Sequence, residues 1–434
     1  MIHMILAAAL LGQAPAPAEP SSPRLTLRAA LDRAFLLSPS AVRAQDEIRV
    51  ATAQRDATKS LVLPRINLTG SLIRNSEEVT FGSVDDSRTI LPRNDWNARV
   101  TLQQPVYAGR RELRLYNQSK EGITLARDGQ QGNRDRIALR VIADYSAAVQ
   151  AQALIHVEGQ AAELAERRIA QAQALFDAGE VTKVDVLRAA TAHKGALRRV
   201  ANADAEAIQA RSRLRIALAI DGGDRELGDL DETTEFGLPV LGPEVLEARA
   251  LTRPEIKLAE TNVRIADLEV LKQKGAHLPV VTADLGYIRQ KSSFPSDSYG
   301  YAALRFTVPV FQAGEVGAKT RIAAARLHQA EVTLLEARRQ ASEDVRQALA
   351  LLDAARRSKA LAEDQLKAAE AEYAQARDLY EQREVTALDL EAAESALSEA
   401  RRALIEGRFA VLQAEASAWL SAGSLADAAL ENFK

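Results

Sequence analysis

Apolar and polar residues alternate in short stretches of this chain, recur at helical spacing in far longer ones, and do both twice in the same order. In the first half, Leu25 to Val62 carries an amphipathic helical pattern. Leu63-Pro64 ends it, because proline forces the residue before it out of helical geometry. Ile66, Leu68, Gly70 and Leu72 then alternate with Asn67, Thr69 and Ser71. Beyond a polar loop, Trp96, Ala98, Val100 and Leu102 alternate with Asn97, Arg99, Thr101 and Gln103. Alternation of this kind predicts strands with one apolar face, here paired as a hairpin. No proline occurs from Val106 to Leu238, which predicts a long helix from Gly109 to about Ala178, a turn at Asp177-Ala178-Gly179-Glu180 and a returning helix. The second half predicts a helix over Pro254 to Lys274, ended by Leu278-Pro279. Strands follow through Val281, Ala283, Leu285 and Tyr287 and through Ala302, Leu304, Phe306 and Val308. A long helix then runs from Gly314 to about Gln382, with a turn at Glu381-Gln382-Arg383-Glu384.

The two halves align by position. Pro39 and Pro64 return as Pro254 and Pro279 at a shift of 215 residues; Pro105-Val106-Tyr107 returns as Pro309-Val310-Phe311 at a shift of 204, the second hairpin loop being shorter. A period near 200 residues is too long for a solenoid, so the chain reads as a duplicated half. Alanine takes every seventh place from Ala341 to Ala376, on a seam with Val345, Leu352, Lys359, Leu366, Tyr373 and Tyr380. The first half keeps that seam, interrupted by Asp144 and Glu158. A strict seven-residue repeat holds one face against a partner helix and drives a left-handed supercoil, and alanine on it allows close approach. Each long helix would run about 100 Å at 1.5 Å per residue, longer than any compact domain.

Composition narrows the picture. Of 434 residues 47% are hydrophobic but only 4% aromatic, which suits helices packed on small side chains. The aromatics gather in or beside the hairpins, as with Trp96, Tyr107, Tyr287, Tyr301, Phe306 and Phe311. A net charge of −3 gives no electrostatic reason to expect nucleic acid. The absence of cysteine excludes thiol chemistry and Cys-based zinc sites. Five histidines lack partners at ligand spacing, and Gly222-Gly223 lacks the context of a phosphate loop, so no catalytic residue, cofactor or metal site is expected. Met1 to Ala18 holds an apolar stretch followed by small-x-small sites and reads as a signal peptide, although no Lys or Arg precedes Arg24. Elsewhere no run of 18 apolar residues supplies a transmembrane helix.

The fold class is therefore mainly α with a small β part. The expected domains are a first repeat over 25–220, an inter-repeat linker over 221–253, a second repeat over 254–422 and a tail over 423–434. Two readings of the hairpins stay open. Their apolar faces either pack on helices or meet lipid, and four strands alone cannot close a membrane barrel, which needs about eight. Thr182-x-x-Asp185 and Thr386-x-x-Asp389 have capping-box form, a structural role that leaves room for a second one at an exposed tip.

The order of short helix, Leu-Pro, hairpin, Pro-Val-aromatic with nearby Gly, long helix, turn and Val-x-Asp-Val-Leu or its variant resembles the TolC family of outer membrane efflux ducts. The likeness runs from about Leu25 to Ser421. The most specific pieces are Leu175 to Leu187 and the paired Gln104 to Gly109 and Val308 to Gly314. The resemblance implies a homotrimer whose twelve pooled strands form a β-barrel in outer membrane lipid. Its long helices would build an α-barrel tunnel across the periplasm, joined through a periplasmic adaptor to an inner-membrane pump. It further implies a constricted periplasmic tip, to which Tyr380 and Asp389 correspond. Val385 and Ala392 depart from the family's basic and second acidic positions, and Arg383 replaces the usual turn glycine. Arg383 joins Tyr380 and Asp389 as a constriction candidate, and Gly179, Thr182, Asp185 and Thr386 are candidates for the adaptor-facing tip. The rival reading is a soluble, elongated coiled-coil scaffold; the exported cargo is not legible.

Overall fold

The computed structural model describes residues 24–82, 88–223, 227–231, 237–239, 241–292 and 296–433; the expected signal peptide at 1–18 lies outside them. The first half comprises α1 (Leu27–Leu37), α2 (Pro39–Lys59), β1 (Arg65–Arg74), β2 (Val79–Phe81), β3 (Arg88–Leu91), β4 (Asn94–Ala108), α3 (Arg111–Asp177) and α4 (Lys183–Ala217). After α5 (Pro243–Ala250), the second half comprises α6 (Pro254–Lys274), β5 (Val280–Gln290), β6 (Ser298–Thr307), α7 (Glu315–Glu381) and α8 (Ala387–Ser421). The chain closes with α9 (Leu425–Asn432). The duplication holds at the level of element bounds. Helices α2 and α6 share both ends at the shift of 215, and α3 and α7, like α4 and α8, share both at the shift of 204.

Three features differ from the sequence reading. The first helix is two helices, because Ser38 takes an extended geometry (φ −62°, ψ 143°) to cap α2 and Pro39 has no N–H with which to continue α1. The polar loop of the first hairpin carries a short antiparallel pair of its own, β2 on β3. The stretches expected to be linker and tail also hold helices α5 and α9.

Each long helix of 67 residues packs against its returning helix of 35. The outbound seam is buried at Ala341, Val345, Ala348, Leu352, Ala362 and Ala369. The returning helices carry a second seven-residue seam that the sequence reading missed: Ala189, Ala196, Ala203 and Ala210 on α4, and Ala393, Ala400, Gly407 and Ala414 on α8. At Gly407 a Cβ would meet the Cα of Lys359 at 3.3 Å, so the small seam sets how closely the two helices pass. The largest core sits at the mid-height of the helices. There Leu27 and Leu31 of α1 meet Ile142 and Tyr145 of α3, Leu214 of α4, Leu412 of α8 and Leu425 of α9. Tyr145 donates to the Leu25 carbonyl at 2.7 Å, and the buried Asp135 accepts from the Ala426 N–H at 2.8 Å, pinning α9 to α3.

The four main strands form one antiparallel sheet in the order β1-β4-β5-β6, so β4 and β5 join the two halves. Register carries the apolar positions across the sheet: Ile66 faces Leu102, which faces Leu285, and Leu68 faces Val100, which faces Tyr287. Ile66, Leu68, Leu72, Leu285, Tyr287, Leu304 and Phe306 are all exposed, so none of the described helices covers this face. On the opposite face Asn97 donates to the Ser71 hydroxyl at 2.7 Å and Arg305 pairs with Asp284 at 3.6 Å.

Candidate functional site

The distal ends of the two helical hairpins are built alike. At the first turn Gly179 N–H donates to the Phe176 carbonyl and Glu180 N–H to that of Leu175, both at 2.9 Å; at the second, Arg383 N–H donates to Tyr380 at 3.0 Å and Glu384 N–H to Leu379 at 2.9 Å. This pair of bonds closes a helix only if the residue after the cap is left-handed. Gly179 has φ 75° and suits that position, whereas Arg383 holds φ 63° against the steric cost of a side chain there.

The returning helices open with the expected boxes. Thr182 donates to Asp185 Oδ2 from its hydroxyl at 2.8 Å and its N–H at 3.0 Å, and Thr386 does the same to Asp389 at 2.6 and 2.9 Å. These bonds favour the ionised carboxylate and hold both aspartates below the ordinary range, so both are charged at neutral pH.

The structure brings some candidates together and separates others. Tyr380 is half-buried and shares a small cavity between the tips with Asp185, Arg168 and Arg188. Asp389 and Thr386 are exposed and do not line that cavity, and Gly179 and Thr182 are exposed at the first tip. Arg383 is engaged with its own chain: its Nη2 lies 3.0 and 2.9 Å from the two carboxylate oxygens of Glu180, joining one turn to the other.

Above the tips, charged rungs tie α3 to α8 where the apolar core has given out. Arg168 meets Glu394 at 2.7 Å, and the buried Glu158 accepts from Arg199 of α4 at 2.9 Å and from Arg402 of α8. Burial pushes the Glu394 carboxyl up and Arg168 opposes it. These rungs flank an open cleft of about 520 Å³. The partners in these rungs lie on different helices, so spacing along one helix does not reveal them. The available signal is Glu158 standing, with Asp144, on a seam that is apolar at its other positions. Among the described residues no group of three or more potential metal ligands occurs, and no helix is long and apolar enough to cross a membrane.

The outer membrane efflux protein family model matches residues 30–219 and 245–423, one stretch in each half. The chain is 28% identical to protein CyaE of Bordetella pertussis over 79% of this chain and 73% of that one. It is 25% identical to the proteases secretion protein PrtF of Dickeya chrysanthemi over 89% and 87%. Its fold matches the CmeC outer membrane channel of Campylobacter jejuni with a TM-score of 0.79 at 16% identity, over 97% of this chain and 94% of that one. With the duplicated halves, the long helices and the uncovered strand face, the chain belongs to the outer membrane efflux protein family: it is an outer membrane exit duct whose helices extend into the periplasm.

Proposed function

We propose that three copies pool their strands into one twelve-stranded barrel, with the Ile66–Tyr287 face toward lipid and the polar face lining an aqueous lumen. The carrying observation is the sheet itself: four strands, an exposed apolar face and two unpaired edges, β1 and β6, too few to close alone. The long helices then form the wall of a passive tunnel, and energy comes from an inner-membrane pump joined through a periplasmic adaptor that meets the tips around Gly179, Thr182, Asp185 and Thr386. The tip is the constriction. Three Asp389 carboxylates form an acidic ring, Tyr380 wedges between the two hairpins, and Arg383 restrains the second turn by holding the first. No catalytic step enters this reading. The likeness to a proteases secretion protein supports an exported polypeptide as cargo, and the family description supports efflux of smaller molecules.

Fractionation and planar bilayers test the proposal. The protein should require detergent for extraction and run as a heat-modifiable trimer; recovery as a monomer in the aqueous fraction would instead support a soluble scaffold. Asp389→Ala should lower cation preference and change single-channel conductance, and unchanged values would remove the acidic ring.

A further inference from the structure

Three segments converge at the start of α9: helix α3, the turn from α5 to α6 and the turn from α8 to α9. Small residues bring them together. Gly132 of α3 faces Pro254, where a Cβ would meet the proline Cβ at 3.2 Å. Gly423, left-handed at φ 69°, closes α8: its N–H donates to the Leu420 carbonyl at 2.8 Å, and that of Ser424 donates to Trp419 at 3.3 Å. A Cβ on Gly423 would lie 2.4 Å from the Cβ of Arg253, so the α8–α9 turn is pressed against the α5–α6 turn. Asp344 of α7 fixes Arg253 there through an ion pair at 2.7 Å.

Between these segments lies a cavity of about 470 Å³ with a cationic wall. Arg134 comes from α3, Arg249 from α5 and Lys257 from α6, and Asp427 is the one acid among the described residues that line it. The cleft beside the charged rungs is different, because its four arginines are matched by four glutamates. Here none of the three cations makes an ion pair with a described residue. Two are held over rings instead, Arg134 at 5.2 Å from the centre of Phe35 and Arg249 at 5.4 Å from that of Trp419. A cation over a ring gains from the negative ring face and keeps its N–H donors for a ligand. Lys257 stands where the shift of 215 places Val42 in the first half, so the repeated architecture does not require its charge. The Ser424 hydroxyl, also on this wall, is enclosed with no partner among the described residues and does not cap α9.

We propose that this cavity binds a multiply charged oxyanion, bridged by Arg134, Arg249 and Lys257 and hydrogen-bonded by the Ser424 hydroxyl. Three like charges around one cavity repel each other, and an anion between them replaces that repulsion with charge-assisted hydrogen bonds. Arg249 and Lys257 are exposed, so a ligand reaches them from solvent. The neighbouring Asp135 does not compete for them in the same way, since its carboxylate accepts from the Ala426 N–H at 2.8 Å. That bond also occupies a donor of the α9 terminus, so the anion is held by side chains rather than by the helix end. Arg134 belongs to the first half and the other two cations to the second, so a bound anion ties the halves together beside α9. The site is complete within one copy and stands apart from the trimeric reading. Its ligand class is a phosphorylated or polycarboxylate compound of the periplasm.

Calorimetric titration of the detergent-purified full chain with citrate and, separately, with inorganic phosphate tests the site, sodium chloride holding ionic strength constant. At least one of the two should bind saturably, one anion per chain. Lys257→Gln and Arg249→Gln should each weaken that binding by about ten-fold, the worth of one charge-assisted hydrogen bond. Lys319→Gln, which removes a cation that α7 pairs with Glu315, should leave it unchanged. Tighter binding of citrate assigns a polycarboxylate ligand, and tighter binding of phosphate a phosphorylated one. Trp419 lies under Arg249, so its fluorescence should follow the same saturation curve in the unsubstituted protein, a readout that needs no variant to fold. Absence of saturable binding for both anions, or an affinity unchanged in either variant, would overturn the site.

Discussion

Arg383 and Glu180 stand 203 positions apart in the chain and meet as a two-pronged ion pair, one guanidinium nitrogen 3.0 and 2.9 Å from the two carboxylate oxygens. The pair bridges the turns that end the two hairpins, and its arginine occupies the left-handed position that Gly179 fills in the other half.

Two opposed effects meet at Arg383. The exposed ion pair contributes about 0.2–1 kcal/mol, and the left-handed backbone costs about 1–2 kcal/mol relative to glycine. Arg383→Gly should therefore leave thermal stability within about 1 kcal/mol of the parent, whereas Arg383→Ala loses the pair without relieving the backbone. Both should open more often in planar bilayers, because the two turns are no longer tied. Unchanged opening in both variants would show that the tie does not restrain the tip.

The capping boxes predict a local cost. Thr386→Ala removes the hydroxyl that accepts from the Asp389 N–H at 3.4 Å and donates to its carboxylate, and should cost about 1 kcal/mol, read by thermal unfolding. Threonine bonding holds the Asp185 and Asp389 carboxyls below the ordinary value of 3.8. Their contribution is thus fully present above that value and disappears only as pH falls through the lower folded ones, so capping should be flat between pH 5 and 8.

Glu158 is the sharpest stability test. Its carboxylate is buried between two guanidiniums that keep partial contact with solvent, so Glu158→Ala should cost about 2–3 kcal/mol, below the range for a fully enclosed pair. Pairing it with Arg402→Ala should be clearly less than additive, since either change removes the same contact. Additivity in denaturant titrations would mean that the rung contributes little.

Asp135 predicts a pH dependence of opposite sign to the caps. Burial pushes its carboxyl up to about 6, with Asp427 and Glu255 adding to the shift and the Ala426 N–H and Arg134 opposing it. The folded state then binds more protons than the unfolded one between about pH 4 and 6, so stability falls as pH rises through that window, by about 3 kcal/mol at most. Asp135→Asn keeps an oxygen for the Ala426 N–H and should flatten that slope in melts compared at pH 4.5 and 7.5; an unaltered slope would assign it to other groups.

Gly109 tests the close approach at the foot of the long helix. A Cβ there would lie 2.1 Å from the Gly275 carbonyl oxygen, at a φ of 64°. Gly314→Ala meets nothing within 4 Å and carries only the backbone cost of its φ of 81°. Within one copy Gly109→Ala should therefore strain the fold by steric clash, whereas Gly314→Ala should not, as measured by the protease resistance of the newly made protein before assembly.

Sequence alone determined what depends on neighbours a few positions away. The seven-residue seam and the lack of proline set the long helices, and the structure bounds them at Arg111–Asp177 and Glu315–Glu381, within a few residues of the expected ends. Alternation marked the strands, and Thr-x-x-Asp marked where the returning helices start, because cap, turn and period are satisfied within one or two turns of chain. Only the tertiary structure decided which distant groups meet. Glu158 and Arg402 are 244 positions apart, and nothing in their local spacing distinguishes them from charges on a solvated face. The joining of β4 to β5, the pairing of Arg383 with Glu180 and the pinning of α9 by Asp135 are likewise long-range. They follow from how two halves of like architecture pack side by side, a relationship in space that periodicity along one chain does not encode.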